Sequence, residues 1–186
     1  MKKSIVAGSL TLFVIFMLST MSGCSGTKRT GDPKVDAIIE IRKILDLPER
    51  PLTYIEDTFM ANSPNGNLKV SYYVDDEDRK YYVDVETNQV VEIDARSILD
   101  SIPEDEAAIE NEKLKSEVDK MVAKIIPDFE SVAEGLTFSS GDKGDNRFFD
   151  WRAEMIPGDS MPRFLQIGIH ESGVVFSYYN TLEIDQ

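Results

Sequence analysis

Residues 81–93 read Tyr81-Tyr82-Val83-Asp84-Val85-Glu86-Thr87-Asn88-Gln89-Val90-Val91-Glu92-Ile93. Aromatic and β-branched residues fill both ends, and a polar run, 86–89, separates them. This predicts a strand over 80–85, a short turn, and a second strand over 90–93. Working outward, 68–74 reads as another strand, closed by an acidic turn at 75–78, and 52–59 as a further one in a loop-rich stretch. Before them stands Asp32-Pro33, a capping residue followed by a residue preorganised for the first helical turn. Val35, Ile38, Ile41 and Leu45 then recur at helical spacing, and Leu47-Pro48 ends the helix.

The same order returns downstream. A longer helix is expected from about 103 to 126, with Leu114, Val118, Met121, Val122 and Ile125 as its apolar stripe. A strand over 132–139, a turn-rich stretch over 141–146, strands over 147–155 and 163–169, a turn at 171–173 and a strand over 174–179 complete the series. An offset of 84 carries Ala37, Ile38 and Ile41 onto Met121, Val122 and Ile125. It also carries Val83 and Val85 onto Ile167 and Ile169, and Val90 and Val91 onto Val174 and Val175. The strand before the last hairpin needs an offset nearer 79, which places a longer hairpin loop in the second unit. A repeat of this length is a structural unit. The expected class is α+β: two tandem units, 33–96 and 97–186, each a helix packed on an antiparallel β-meander, the second with an acidic N-terminal helix.

The stretch 81–93 resembles the end of a PepSY domain, with its aromatic strand, Val83-Asp84 step, tight turn and valine strand. Residues 164–179, Phe164-Leu165-Gln166-Ile167-Gly168-Ile169-His170-Glu171-Ser172-Gly173-Val174-Val175-Phe176-Ser177-Tyr178-Tyr179, are a looser second example. The family's turn glycine is present as Gly173, and Asn88-Gln89 stands in its place in the first unit. Asparagine tolerates the left-handed conformation there. The resemblance implies a non-catalytic extracytoplasmic module of the kind found in peptidase propeptides, where it restrains a peptidase.

The N-terminus gives the destination. Lys2-Lys3 precedes an apolar run over 5–18, shorter than the ~20 residues of a spanning helix and sized for a secretory signal. Met21-Ser22-Gly23-Cys24 follows, and it resembles the lipobox of bacterial lipoproteins. That resemblance implies cleavage after residue 23 and a lipid on Cys24, the sole cysteine of the chain. The competing readings are a secretory signal with a fortuitous cysteine and an uncleaved anchor. Residues 24–32 are small and polar, a flexible tether. The expected location is the extracytoplasmic face of a cell membrane.

The 186 residues carry 20 Lys+Arg and 34 Asp+Glu, a charge of −14. Removing 1–23 takes Lys2 and Lys3 with it and no acid, so the charge becomes −16. An acidic body disfavours nucleic acid as a partner, since phosphate neutralisation needs a basic face. A single Cys and a single His rule out an intramolecular disulfide and the usual Cys- or His-rich zinc sites.

No constellation announces catalysis. His170 has no second His or Cys to work with and reads as a strand-end residue. Ser139 and Ser140 lack a Gly-x-Ser-x-Gly context. Asp75-Asp76-Glu77-Asp78 reads as a solvated hairpin tip, with a divalent cation as the alternative. In 141–150, counting Asp142 as first ligand puts Gly144 third and Ala153 twelfth, and neither supplies a side-chain oxygen. The aromatics are more informative: Tyr72, Tyr73, Tyr81 and Tyr82 in the first unit, and Phe148, Phe149, Trp151, Phe164, Phe176, Tyr178 and Tyr179 in the second. Strand alternation sends one of each adjacent pair to each sheet face. If helices cover one face, the remainder form an aromatic face or pack between units. Trp151 is the residue singled out as either a core anchor or part of a binding face. The expectation is a non-enzymatic, lipid-anchored module that binds a protein or peptide, needing no cofactor and no catalytic or metal site. A small-solute or divalent-cation-binding lipoprotein is the alternative.

Overall fold

The computed structural model describes residues 30–60, 63–64 and 66–182. The signal, Cys24 and most of the tether lie outside the described residues. The fold is α+β, with helices packed against one antiparallel sheet of eight strands.

Helix α1 spans Pro33–Ile44, and Asp32 caps it by accepting from the backbone N–H groups of Lys34 and Val35. Strands β1 (Leu52–Met60), β2 (Leu68–Asp75), β3 (Lys80–Asp84) and β4 (Val90–Asp94) follow. A 3₁₀ turn at Arg96–Ser101 leads to α2 (Asn111–Ile125) and α3 (Phe129–Ala133). Strands β5 (Thr137–Lys143), β6 (Asn146–Arg152), β7 (Phe164–His170) and β8 (Val175–Asn180) close the series. The spatial order is β1-β2-β3-β4-β8-β7-β6-β5. Each half is thus a four-stranded meander, and the halves join last strand to last strand. Three residue pairs form the seam: Glu92 with Tyr179, Ile93 with Tyr178, and Asp94 with Ser177.

One face of the sheet carries the main core. Ile38, Ile41 and Leu45 of α1 and Leu114, Val118 and Val122 of α2 pack on Tyr73, Tyr81, Val83, Ile93, Phe149, Trp151, Leu165, Ile167 and Tyr178. Burying such side chains contributes roughly 1.5–3 kcal/mol each. The hairpin turns behave as their sequences require. Asn88 takes φ +61° and Gly173 φ +92°, the left-handed region that Asn and Gly enter most readily.

Three expectations need correction. The second helix begins at Asn111, not near 103. The chain before it runs extended as a strap, held where the Ile109 N–H donates to the Glu171 carbonyl at 2.7 Å. The stretch 132–139 is not one strand, because α3 takes its start. Phe129 in α3 stands edge-on to Trp151 at 5.6 Å, so tertiary packing overrides local β preference. The turn-rich 141–146 is mostly strand, with only Gly144-Asp145 as its two-residue turn and Gly144 at φ +62°. The long hairpin connection of the second half is 153–163, against 76–79 in the first.

Candidate functional site: the uncovered sheet face

Among the described residues no α-helix packs on the opposite face of the sheet, and the 3₁₀ turn Arg96–Ser101 borders it, with Leu99 lining the cleft beside Phe176. Cross-strand partners share a face, so the register defines its rows. One row crosses all eight strands: Glu56, Tyr72, Tyr82, Glu92, Tyr179, Gln166, Asp150 and Ser139. The aromatic pairs divide as alternation requires. Tyr73, Tyr81, Phe149, Trp151 and Tyr178 are buried under the helices. Tyr72 and Tyr82 stack on the other face at 4.9 Å and 9°, and Phe164 and Tyr179 stack there at 4.7 Å and 9°.

Glu92 stands between these two stacks. It is half-buried, and no hydrogen bond or ion pair joins its carboxylate to another described residue. Burial pushes its pKa up, the negative charge of Asp94 adds to that, and Arg96 and Lys80 oppose it. Asp94 beside it is held below the usual range by its hydrogen bonds to Arg96, at 2.6 and 2.8 Å. Burial and the Glu92 charge push the Tyr179 phenol up to about 12. Glu92 borders two clefts. One, of about 430 Å³, runs along Glu56, Thr58, Tyr72 and Tyr82. The other, of about 410 Å³, runs along Asp94, Phe148, Gln166, Phe176 and Tyr179.

Close packing floors the second cleft. A Cβ on Gly168 would lie 2.2 Å from Ser177 Oγ and 2.8 Å from Phe176 Cζ, so only glycine fits beneath the edge-on Phe148–Phe176 pair. At the end of the face near Met60, Leu68, Val70 and Val91, the halves are tied by loops. The Ser160 N–H donates to the Pro64 carbonyl at 2.6 Å, and its hydroxyl donates to the same oxygen at 2.9 Å. At the flanks, β1 and β5 pair with no described strand on their outer sides. On β1, Tyr54, Ile55 and Phe59 are 52%, 48% and 66% exposed.

The residues singled out from sequence fall elsewhere. Trp151 is 4% exposed and belongs to the covered face, against Phe129 and Phe138. It touches the floor of an open cleft of about 980 Å³ between α2 and α3, with Lys115 and Asp119 on the rim. His170 Nδ1 accepts from the Ser172 N–H at 3.1 Å and lies 2.8 Å from the Ser172 hydroxyl, so the ring fastens the β7–β8 turn. Asp142 pairs with Arg147 at 3.4 Å, and Asp150 accepts from Gln166 at 2.7 Å. Ser139 and Ser140 lie on the exposed β5 edge.

The acidic turn is solvated at Asp76, Glu77 and Asp78 and needs correction at one residue. Asp75 is buried, not solvated. Its Oδ2 accepts from Arg42 Nη2 at 3.0 Å, Arg79 Nε at 2.8 Å and the Tyr81 hydroxyl at 3.0 Å. Its Oδ1 accepts the backbone N–H groups of Glu77 and Arg79. Burial alone would raise the Asp75 pKa, but these hydrogen bonds outweigh it and hold the carboxyl below the ordinary range. With both oxygens occupied, Asp75 has no lone pair in reach of a cation. Among the described residues, no group of three or more His, Cys, Asp or Glu side chains is placed to hold a metal.

Sequence reasoning passed over Glu92, which was read only as part of the second strand of the 81–93 hairpin. The available signal was its place next to Ile93, a core residue, since alternation sends the preceding position to the other face.

Compared with known proteins, the chain matches no family model, no curated protein and no solved structure. The PepSY and lipoprotein resemblances therefore stand on the residues that carry them.

Proposed function

We propose that the protein is an exported, lipid-anchored binding module of two PepSY-like units that holds an extended polypeptide without turning it over. A peptidase under restraint is the kind of partner the resemblance suggests. The observation that supports this reading is the uncovered sheet face, a row of aromatic and polar side chains crossing eight strands beside two open clefts. Large apolar or aromatic surface left in water is characteristic of interaction sites. The exposed β1 edge adds backbone donors and acceptors that an incoming strand would pair with.

A photoreactive amino acid at Tyr72 tests the face, with the same group at Glu112 on the outer side of α2 as control. The expected result is a polypeptide captured from the envelope at Tyr72 alone. That polypeptide, once purified, should bind the wild-type chain and not a Tyr72→Ala variant that retains its melting temperature. Failure to capture a polypeptide, together with measurable hydrolysis of a peptide or glycan, would replace this reading with an enzymatic one. The anchor is tested separately. Cys24→Ser should abolish palmitate labelling and leave the precursor uncleaved, and equal labelling of the variant would refute it.

A further inference from the structure

The carboxylate of Glu92 is a half-buried charged group of the uncovered face with no hydrogen bond or ion pair to another described residue. Of the cations near it, Arg96 is committed to Asp94, and Lys80, on the same face, attracts Glu92 without forming an ion pair with it. A half-buried carboxylate without a donor has lost part of its hydration and gained nothing in exchange. The groups around it are aromatic. Tyr82 and Tyr179 are its cross-strand partners on either side, and Tyr72 and Phe164 stack behind them. The faces of tyrosine rings attract cations, and a desolvated carboxylate between them adds an opposite charge.

We propose that Glu92, with Tyr82 and Tyr179, forms a receptor for a lysine or arginine side chain of a polypeptide laid along the uncovered face. The inference rests on the polypeptide-binding reading above and specifies what that polypeptide must carry. The two clefts meeting at Glu92 give the backbone on either side of the cationic residue a path, one toward Thr58 and one toward Phe148. The acidic charge of the whole chain, −14, favours approach of a basic segment.

The test uses acetylated, amidated heptapeptides of alternating valine and threonine with one central residue: arginine, lysine, or citrulline as the neutral isostere of arginine. Calorimetry at millimolar peptide measures binding to the wild-type chain, to Glu92→Gln, and to Glu112→Gln as a control on the outer side of α2. The arginine and lysine peptides should bind wild type at least tenfold more tightly than the citrulline peptide. Glu92→Gln should erase that difference while melting no lower than wild type, and Glu112→Gln should keep it. Equal binding of arginine and citrulline peptides would overturn the proposal, as would no binding of the arginine peptide. Free methylguanidinium binding as tightly as the peptide would assign the site to a small cation and overturn the polypeptide. The failures are separable. A partner captured at Tyr72 whose binding ignores Glu92→Gln refutes this inference alone, whereas no captured partner refutes the function it rests on.

Discussion

The two halves of the sheet have the same strand order and turn the same face to a helix, yet they fasten helix to sheet by opposite chemistry. In the N-terminal half the end of α1 is tied by charge. Arg42 and Arg79 converge on Asp75, all three are buried, and Arg42 lies over the Tyr81 ring at 4.3 Å. In the C-terminal half the residues 84 positions after Arg42 and Tyr81, Ile126 and Leu165, are apolar and fully buried, and the counterparts of Asp75 and Arg79, Asp159 and Arg163, form no ion pair with each other. There Trp151, Phe129 and Phe138 supply the volume instead. An apolar contact needs only volume, whereas the Asp75 network fixes geometry. It specifies which turn meets which helix, at a desolvation cost that no apolar contact carries.

That contrast can be broken most severely at Asp75. Asp75→Ala leaves two buried guanidinium groups without their anion and should cost about 3–5 kcal/mol in urea denaturation. Trp151→Ala, in the apolar half, removes a buried aromatic side chain and should cost about 3–5 kcal/mol. It should lie at the lower end, because the cleft beside Trp151 already admits solvent. The quadruple change Arg42→Met, Asp75→Leu, Arg79→Met, Tyr81→Phe, which also removes the hydroxyl that would lose its acceptor, converts the first half to the chemistry of the second. It should be neutral or stabilising by about 1–4 kcal/mol, and a loss comparable to Asp75→Ala would show that the charges hold the fold rather than fix its register.

Acid separates the halves in the same sense. The Asp75 pKa is depressed on folding, so its stabilisation is full above the ordinary aspartate value of about 3.9 and is lost as pH falls through the folded one. The single Trp lies in the other half. On acidification, loss of far-ultraviolet ellipticity should therefore precede the shift in Trp151 emission, and coincident transitions would count against the contrast. Gly168→Ala, forced against Ser177 and Phe176, should cost about 1–3 kcal/mol. The smallest effect belongs to Glu92. Burial raises its pKa, so the fold loses stability as pH rises through that value, and Glu92→Gln should gain roughly 0.5 kcal/mol at neutral pH.

Much of this architecture could be read in the chain because it is local. The stripe of Ile38, Ile41 and Leu45, the Asn88 turn and the splitting of Tyr72 from Tyr73 all follow from spacing within a few residues. What could not be read is the seam. Nothing in Val90–Asp94 says that its free side will meet Val175–Asn180, some eighty residues on, so the row through Glu92 had no local signature. Arg42 was hidden differently: it directly follows Ile41 on the buried side, and its partner lay in a turn whose run of acids suggested water. The start of α2 was misread because Pro103 opens a helix well, while the anchoring of Ile109 on Glu171 is a long-range contact.

The seam has a consequence in time. Strand β4 acquires its second neighbour only when β8, the last strand to emerge, is complete. Until then Val90, Val91 and Ile93 lie on an open strand edge in an otherwise finished meander, a template for any other extended chain. A chain interrupted anywhere before Val175 keeps that edge. Completion of β8 therefore closes the β4 edge and leaves only β1 and β5 as edges among the described strands, whereas a product shortened before β8 keeps a third.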